Sequence, residues 1–113
     1  VYKVKIYIAG PYTADKTNQI EANVLRAIEA GLEVFKKGHF PYIPHLTHYV
    51  DIVAKNRNLN MCWADYIKWD FEWLVSCDGL LFLGVSPGAN KELEEAKRLG
   101  LKIYYSSEEI LSD

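Results

Sequence analysis

Several features that would announce a specialised protein are scarce or missing in this sequence. Its two cysteines, Cys62 and Cys77, stand apart rather than in a CxxC pair, so neither a disulfide framework nor a cysteine-based zinc site is written into it. Net charge is −2, which offers no basic surface to nucleic acid or to an anionic membrane. No apolar run approaches the length of a membrane span, and no signal peptide is expected before the first strand. Neither GxGxxG nor GxxxxGKS/T occurs, which argues against a dinucleotide dehydrogenase and a P-loop NTPase. Repeats, low-complexity tracts and linkers are missing as well. What remains is the expectation of one cytoplasmic domain over residues 1–113, half of them hydrophobic, enough for a core without cross-links.

Strand and helix signals alternate along the chain. "VKIYIAG" (Val4 to Gly10) is a short apolar run closed by Gly-Pro and reads as a buried strand. A helix follows, with Asn18 and Glu21 resembling a capping box. Ile20, Val24, Ala27, Ile28, Gly31, Leu32 and Phe35 recur at helical spacing, and Gly38 stops the run. "FPYIP" (Phe40 to Pro44) reads as a short strand or extended segment, and "HLTHYVDIVAKNRNLN" as a loop with some helix. A second helix is expected from about Met61 to Ser76, a fully apolar strand over Gly79 to Val85, and a third helix from "SPGANKELEEAKRLG". "LKIYYS" gives a last strand and "SSEEILSD" a short closing helix.

Strands that are apolar on both faces and joined by helices imply a parallel sheet covered on both sides. The expected fold is a single-domain, three-layer α/β/α arrangement, Rossmann-like or flavodoxin-like, with four to five parallel strands. Right-handed crossovers gather the loops after the strands at the sheet's C-terminal edge, where open α/β sheets bind ligands. Three segments should meet there: Gly10 to Thr13, Pro44 to His48, and Ser86 to Asn90.

The residues of these segments allow more than one chemistry. In "SPGANKE", Ser86 offers a hydroxyl and Gly88 permits close backbone approach at a helix start, which suits a phosphate. Ser86 as N-cap with Pro87 at the first helical position is equally an ordinary helix start. Glu92 lies near that start, where the helix dipole favours an ionised carboxylate, as a nucleophile or general base requires. It also suits a plain structural acid. Asp70 falls near one helical face with Trp63, Tyr66, Ile67 and Leu74, and an apolar setting of that kind raises a carboxyl pKa, whereas at the margin of the stripe it would be a solvated acid. His45 and His48, spaced HxxH, lack a third ligand of familiar spacing and read as loop histidines rather than a metal site. Trp63, Trp69 and Trp73 read as packing or interface residues, and Asp78 as a turn residue. Asp70 and Glu92 are thus two carboxylates assigned to one sheet edge, the equipment of a retaining glycosidic displacement.

Three segments carry a resemblance. "IYIAG", "DFEWLVSCDGLLFL" and "SPGANKELEEA" stand in order along the predicted sheet edge. Together they resemble the nucleoside 2-deoxyribosyltransferase-like family, which includes 2'-deoxynucleoside 5'-monophosphate N-glycosidases. The likeness runs from Ile6 to about Tyr104. Tyr7 takes the place of the family's first-strand tyrosine. Asp70, eight positions before Asp78, takes that of an acid facing the sugar. Gly88, Glu92 and Ala96 match the family's G-x-x-x-E-x-x-x-A segment, whose glutamate is the nucleophile. Ser86 stands six residues before that glutamate, where the monophosphate hydrolases hold phosphate. The first loop, "GPYTADK", lacks the Arg- and Gly-rich pattern of those hydrolases.

The resemblance implies cleavage or transfer at the N-glycosidic bond of a nucleoside or its 5'-monophosphate. Glu92, Asp70 and Tyr7 would be catalytic, and Gly10, Pro11, Tyr12, His45, Ser86, Gly88 and Asn90 would hold substrate. It further implies a homodimer or larger homo-oligomer and needs no cofactor or metal. A nucleotide-sensing module that keeps the pocket without turnover is the alternative. A receiver-type signalling domain is disfavoured, because Gly10-Pro11-Tyr12 stands where its acidic cluster belongs.

Overall fold

Four short strands build the sheet, and each is short because it crosses a small domain once. The computed structural model describes residues 3–113. In chain order the elements are β1 (Lys5–Ala9), α1 (Thr17–Lys36), β2 (Phe40–Tyr42), α2 (Thr47–Asn56), α3 (Trp63–Leu74), β3 (Gly79–Phe82), α4 (Pro87–Arg98) and β4 (Lys102–Tyr104). Single 3-10 turns occupy Pro44–Leu46 and Ser107–Glu109. The sheet is all parallel in the order β2-β1-β3-β4, the three-layer α/β/α architecture read from the alternation. Among the described residues it has four strands.

β1 lies inside the sheet, and both its faces are buried. Ile6 and Ile8 point to a core with Ala27 and Val34 of α1, Leu81 and Ile110. Tyr7 and Ala9 point to the opposite core, with Leu74 of α3, Leu80, Cys77 and Ala96 of α4. Strand alternation therefore divides β1 between two layers, which is why nearly every residue of it is apolar. Each of these large aliphatic side chains contributes about 1.5–3 kcal/mol by leaving water. β2 carries Pro41 and pairs only with β1, so the proline sits on an edge where its missing N–H costs least. The Asp78 carboxylate accepts from the Lys5 amide at 2.8 Å and ties the start of β1 to the turn before β3.

Four local expectations differ from the structure. The capping box at Asn18 and Glu21 does not form, because α1 begins two residues earlier. Lys16 is its N-cap in extended geometry, and no side chain caps it. The buried stripe of α1 is Val24, Ala27, Gly31 and Val34, whereas Leu32 and Phe35 are more than half exposed. The segment read as a loop with some helix holds more helix than that, a 3-10 turn at Pro44–Leu46 running into the three-turn helix α2. β3 ends at Phe82, three residues short of Val85, because its partner β1 ends at Ala9, opposite Phe82, and the last bond between them runs from the Leu83 amide to the Ala9 carbonyl. Among the described residues, no helix is long and apolar enough to cross a membrane.

Candidate active site

The chain runs outward to β2 from one side of β1 and to β3 and β4 on the other, so the connections diverge beyond the ends of β1 and β3. That switch point is where open α/β sheets leave a crevice. A cavity of about 250 Å³ lies there. Gly10, Tyr12 and Thr13 line it from the first loop, and Pro44, His45 and Thr47 from the second. Ser86, Gly88, Ala89 and Glu92 line it from the start of α4, and Asp70 from α3. All three segments nominated by the sheet edge meet in it. Its size is just under the ~300–1,000 Å³ typical of small-molecule pockets.

Tyr7, Asp70 and Glu92 come together at the inner end. Tyr7 is fully buried, the largest such side chain among the described residues, and its hydroxyl donates to Glu92 Oε2. Core packing and site chemistry are thus one fact for this residue: a buried phenol needs a partner, and its partner is the carboxylate. Glu92 and Asp70 are each only 6% exposed. Burial pushes Glu92 up to about 8, opposed by the Tyr7 hydrogen bond and assisted by the negative charge of Asp70. Burial likewise pushes Asp70 up to about 7, opposed by a hydrogen bond from Tyr42. The helix dipole was expected to keep Glu92 ionised. Instead Glu92 stands beyond the first turn of α4, inside the core, and desolvation outweighs the dipole. Near neutral pH the two carboxyls hold about one proton between them, and the order of the two values puts it on Glu92.

The remaining predicted residues divide. Gly10 lines the cavity, and a Cβ there would come 2.9 Å from Leu83 Cβ, so its small size serves close packing between the ends of β1 and β3. Tyr12 lines the cavity and pairs its hydroxyl with His48 Nδ1 at 2.9 Å. His45 is buried, with Nε2 3.1 Å from the carbonyl oxygens of both Gly10 and Pro11. Two acceptors place the proton on Nε2, and burial lowers the pKa, so the ring is neutral. Ser86 lines the cavity while its Oγ accepts from the Ala89 amide at 3.0 Å, the N-cap bond of α4. Gly88 lines it too, and a Cβ there would meet nothing within 4 Å. Pro11 and Asn90 do not line it. Pro11 offers its carbonyl to His45 behind the wall. Asn90 faces the groove between α3 and α4, because two residues further along a helix is about 200° around it.

Several residues escaped the sequence reading. Tyr42 stacks on Tyr7 with ring centroids 5.4 Å apart and on Trp73 at 5.7 Å, and its hydroxyl lies 3.5 Å from Asp70 Oδ1. On α2, Asp51 accepts from Tyr66 of α3 at 2.7 Å and pairs with Lys55 at 2.9 Å, and all three line the cavity. The i,i+4 spacing of Asp51 and Lys55 was the available signal, blurred once that stretch was read as a loop with some helix. From α1, Asn23 donates to the Tyr12 carbonyl at 3.1 Å and Arg26 to the Leu83 carbonyl at 2.7 Å, bracing the loops after β1 and β3. Among the described residues, no three His, Cys, Asp or Glu side chains converge as a metal site.

The chain belongs to the family described as "Domain of unknown function (DUF7768)", which matches residues 4–106. No curated protein matches it. The family description assigns no activity, so the chemistry has to be argued from the cavity itself.

Proposed function

We propose that this DUF7768 domain cleaves or transfers at the N-glycosidic bond of a nucleoside or its 5'-monophosphate, in the manner of the nucleoside 2-deoxyribosyltransferase-like enzymes it resembles. The observation that carries this reading is the buried pair Glu92 and Asp70, with the Tyr7 hydroxyl donating to Glu92, at the inner end of a ligand-sized cavity. Ionised Glu92 attacks C1' as the C1'–N bond breaks, and the bonding pair leaves with the base. The shared proton, which rests on Glu92 in the empty cavity, moves to Asp70 when substrate binds, and Asp70 then gives it to the departing base. Water, deprotonated by Asp70, then attacks C1' and frees Glu92. A second base in place of water gives transfer. Tyr7 orients Glu92 and stabilises its charge.

Exposed Trp69 and Trp73 on α3, with Tyr49 and Val53 on α2, support assembly into a homodimer or larger homo-oligomer. Both cysteines are free thiols, which fits a reducing, cytoplasmic setting. A second reading, a nucleotide-binding module without turnover, is favoured by the raised pKa of Glu92, which keeps it protonated in the empty cavity at neutral pH.

The test is incubation with deoxynucleosides and their monophosphates, with free base followed by chromatography. Base release is expected from the wild type, and a loss of at least about a thousandfold in Glu92→Ala. Equal release by the variant sinks the nucleophile assignment. Ligand binding by calorimetry without any base release favours the binding module.

A further inference from the structure

The outer wall of the cavity, where α2 faces α3, has no part in the chemistry above. We infer that this wall is the recognition subsite for an amino-bearing base on an unphosphorylated nucleoside, with Asp51 as its specificity residue. The inference rests on the proposed N-glycosidic reading and narrows its substrate.

Placement comes first. Tyr66 and Asp70 are one turn apart on the same face of α3, and both line the cavity. A base that takes its proton from Asp70 therefore extends along α3, and its far edge meets the Tyr66 hydroxyl and the Asp51 carboxylate bonded to it. Trp63, Met61 and Ile67 give that wall apolar surface for a flat ring.

The hydrogen-bonding inventory of the wall selects the ligand. Tyr66 donates to Asp51 Oδ1 at 2.7 Å, and Lys55 reaches Oδ2 at 2.9 Å. Thr47 donates to the Pro44 carbonyl at 2.8 Å, and the His45 N–H is held by the carbonyls of Gly10 and Pro11. The Tyr66, Thr47 and His45 donors on this side are thus engaged, while Lys55 keeps N–H groups beyond its pair with Asp51. Asp51 is an acceptor only, each oxygen keeps a second lone pair, and its side chain is 22% exposed. The ligand has to bring the donor, which an exocyclic amino group does.

The charge inventory excludes phosphate. Asp51, Asp70 and Glu92 line the cavity, and among the described lining residues Lys55 is the cation, already paired with Asp51. At the start of α4, Pro87 has no N–H and the Ala89 amide is taken by Ser86 Oγ. A phosphate dianion would enter a site with surplus negative charge and few free donors.

The experiment is calorimetric titration of the full chain carrying Glu92→Gln, which keeps a neutral acceptor for Tyr7 and prevents turnover. Three probes are compared: deoxyadenosine, deoxyadenosine 5'-monophosphate, and the purine 2'-deoxyriboside that lacks the amino group. Deoxyadenosine is expected to bind about tenfold tighter than either of the others, the worth of one hydrogen bond to a charged acceptor. Adding Asp51→Asn, with helicity checked by circular dichroism, should shrink the preference for the amino group to within about twofold. Tighter binding of the monophosphate, or equal affinity with and without the amino group, overturns the inference and leaves the N-glycosidic reading standing. Binding of none of the three, together with no base release by the wild type, overturns that reading and this inference with it.

Discussion

Glu92 is a carboxylate whose surroundings set its role. A glutamate in the early part of a helix ordinarily ionises easily, yet here burial holds its pKa at about 8, and the Tyr7 hydroxyl is the group that opposes the shift. Removing that hydroxyl in Tyr7→Phe should raise the Glu92 pKa further. If the N-glycosidic reading holds, kcat/KM is bell-shaped. Below about 7 both carboxyls are protonated and no nucleophile exists, and above about 8 both are ionised and no acid remains. These limits belong to the pair rather than to either residue. Tyr7→Phe should move the alkaline limb upward and reduce the maximum about ten- to a hundredfold, the worth of a hydrogen bond to a charged group. A pH–rate profile reads both effects, and an unmoved alkaline limb would return Tyr7 to plain core packing.

At the scale of elements, α4 both stabilises the fold and shapes the cavity. Ser86 caps it through the Ala89 amide, Pro87 occupies a first-turn position where no N–H is needed, and Lys97 and Arg98 sit in the last turn. Ser86→Ala should therefore destabilise the protein by about 1 kcal/mol even with no ligand present. Urea titration checks this, and a midpoint unchanged from wild type would mean that the cap contributes nothing. α2 behaves differently. No side chain caps it, its buried residue is Ala54 alone, and its role is to carry Asp51 and Lys55 to the cavity.

Across the whole molecule, two buried carboxyls make stability depend on pH in an unusual direction. The folded-state pKa of Glu92 lies at about 8 against an ordinary 4.5, and that of Asp70 at about 7 against 3.8. Between each pair of values the unfolded chain has released a proton that the folded chain still holds. The stabilisation is complete below the lower value and is lost as pH rises through the upper one. Glu92→Gln abolishes this dependence at one site, so it should melt higher than wild type at pH 8, by ~5 °C, and close to wild type at pH 5. Thermal melts followed by circular dichroism at the two pH values provide the measurement. A variant less stable than wild type at pH 8 would contradict the burial account.

The alternation of apolar strand and amphipathic helix was enough to establish the parallel α/β/α sheet and the three loops at its edge. Those signals are local, because Ile6 to Ala9 must be apolar wherever a strand is buried on both faces. Ser86 and Pro87 likewise mark a helix start by their own backbone chemistry. α2 was blurred because Lys16-like capless starts and an exposed apolar surface (Tyr49, Val50, Val53) leave little periodic contrast to read. The protonation of Glu92 was decided only by tertiary structure, since desolvation depends on what packs around a group and not on its neighbours in sequence. So was the separation of Gly88 from Asn90, which turns on the rotational setting of α4 against the sheet. The Asp51–Tyr66 bond joins residues fifteen apart on two helices, and only the packing of those helices brings them to one wall.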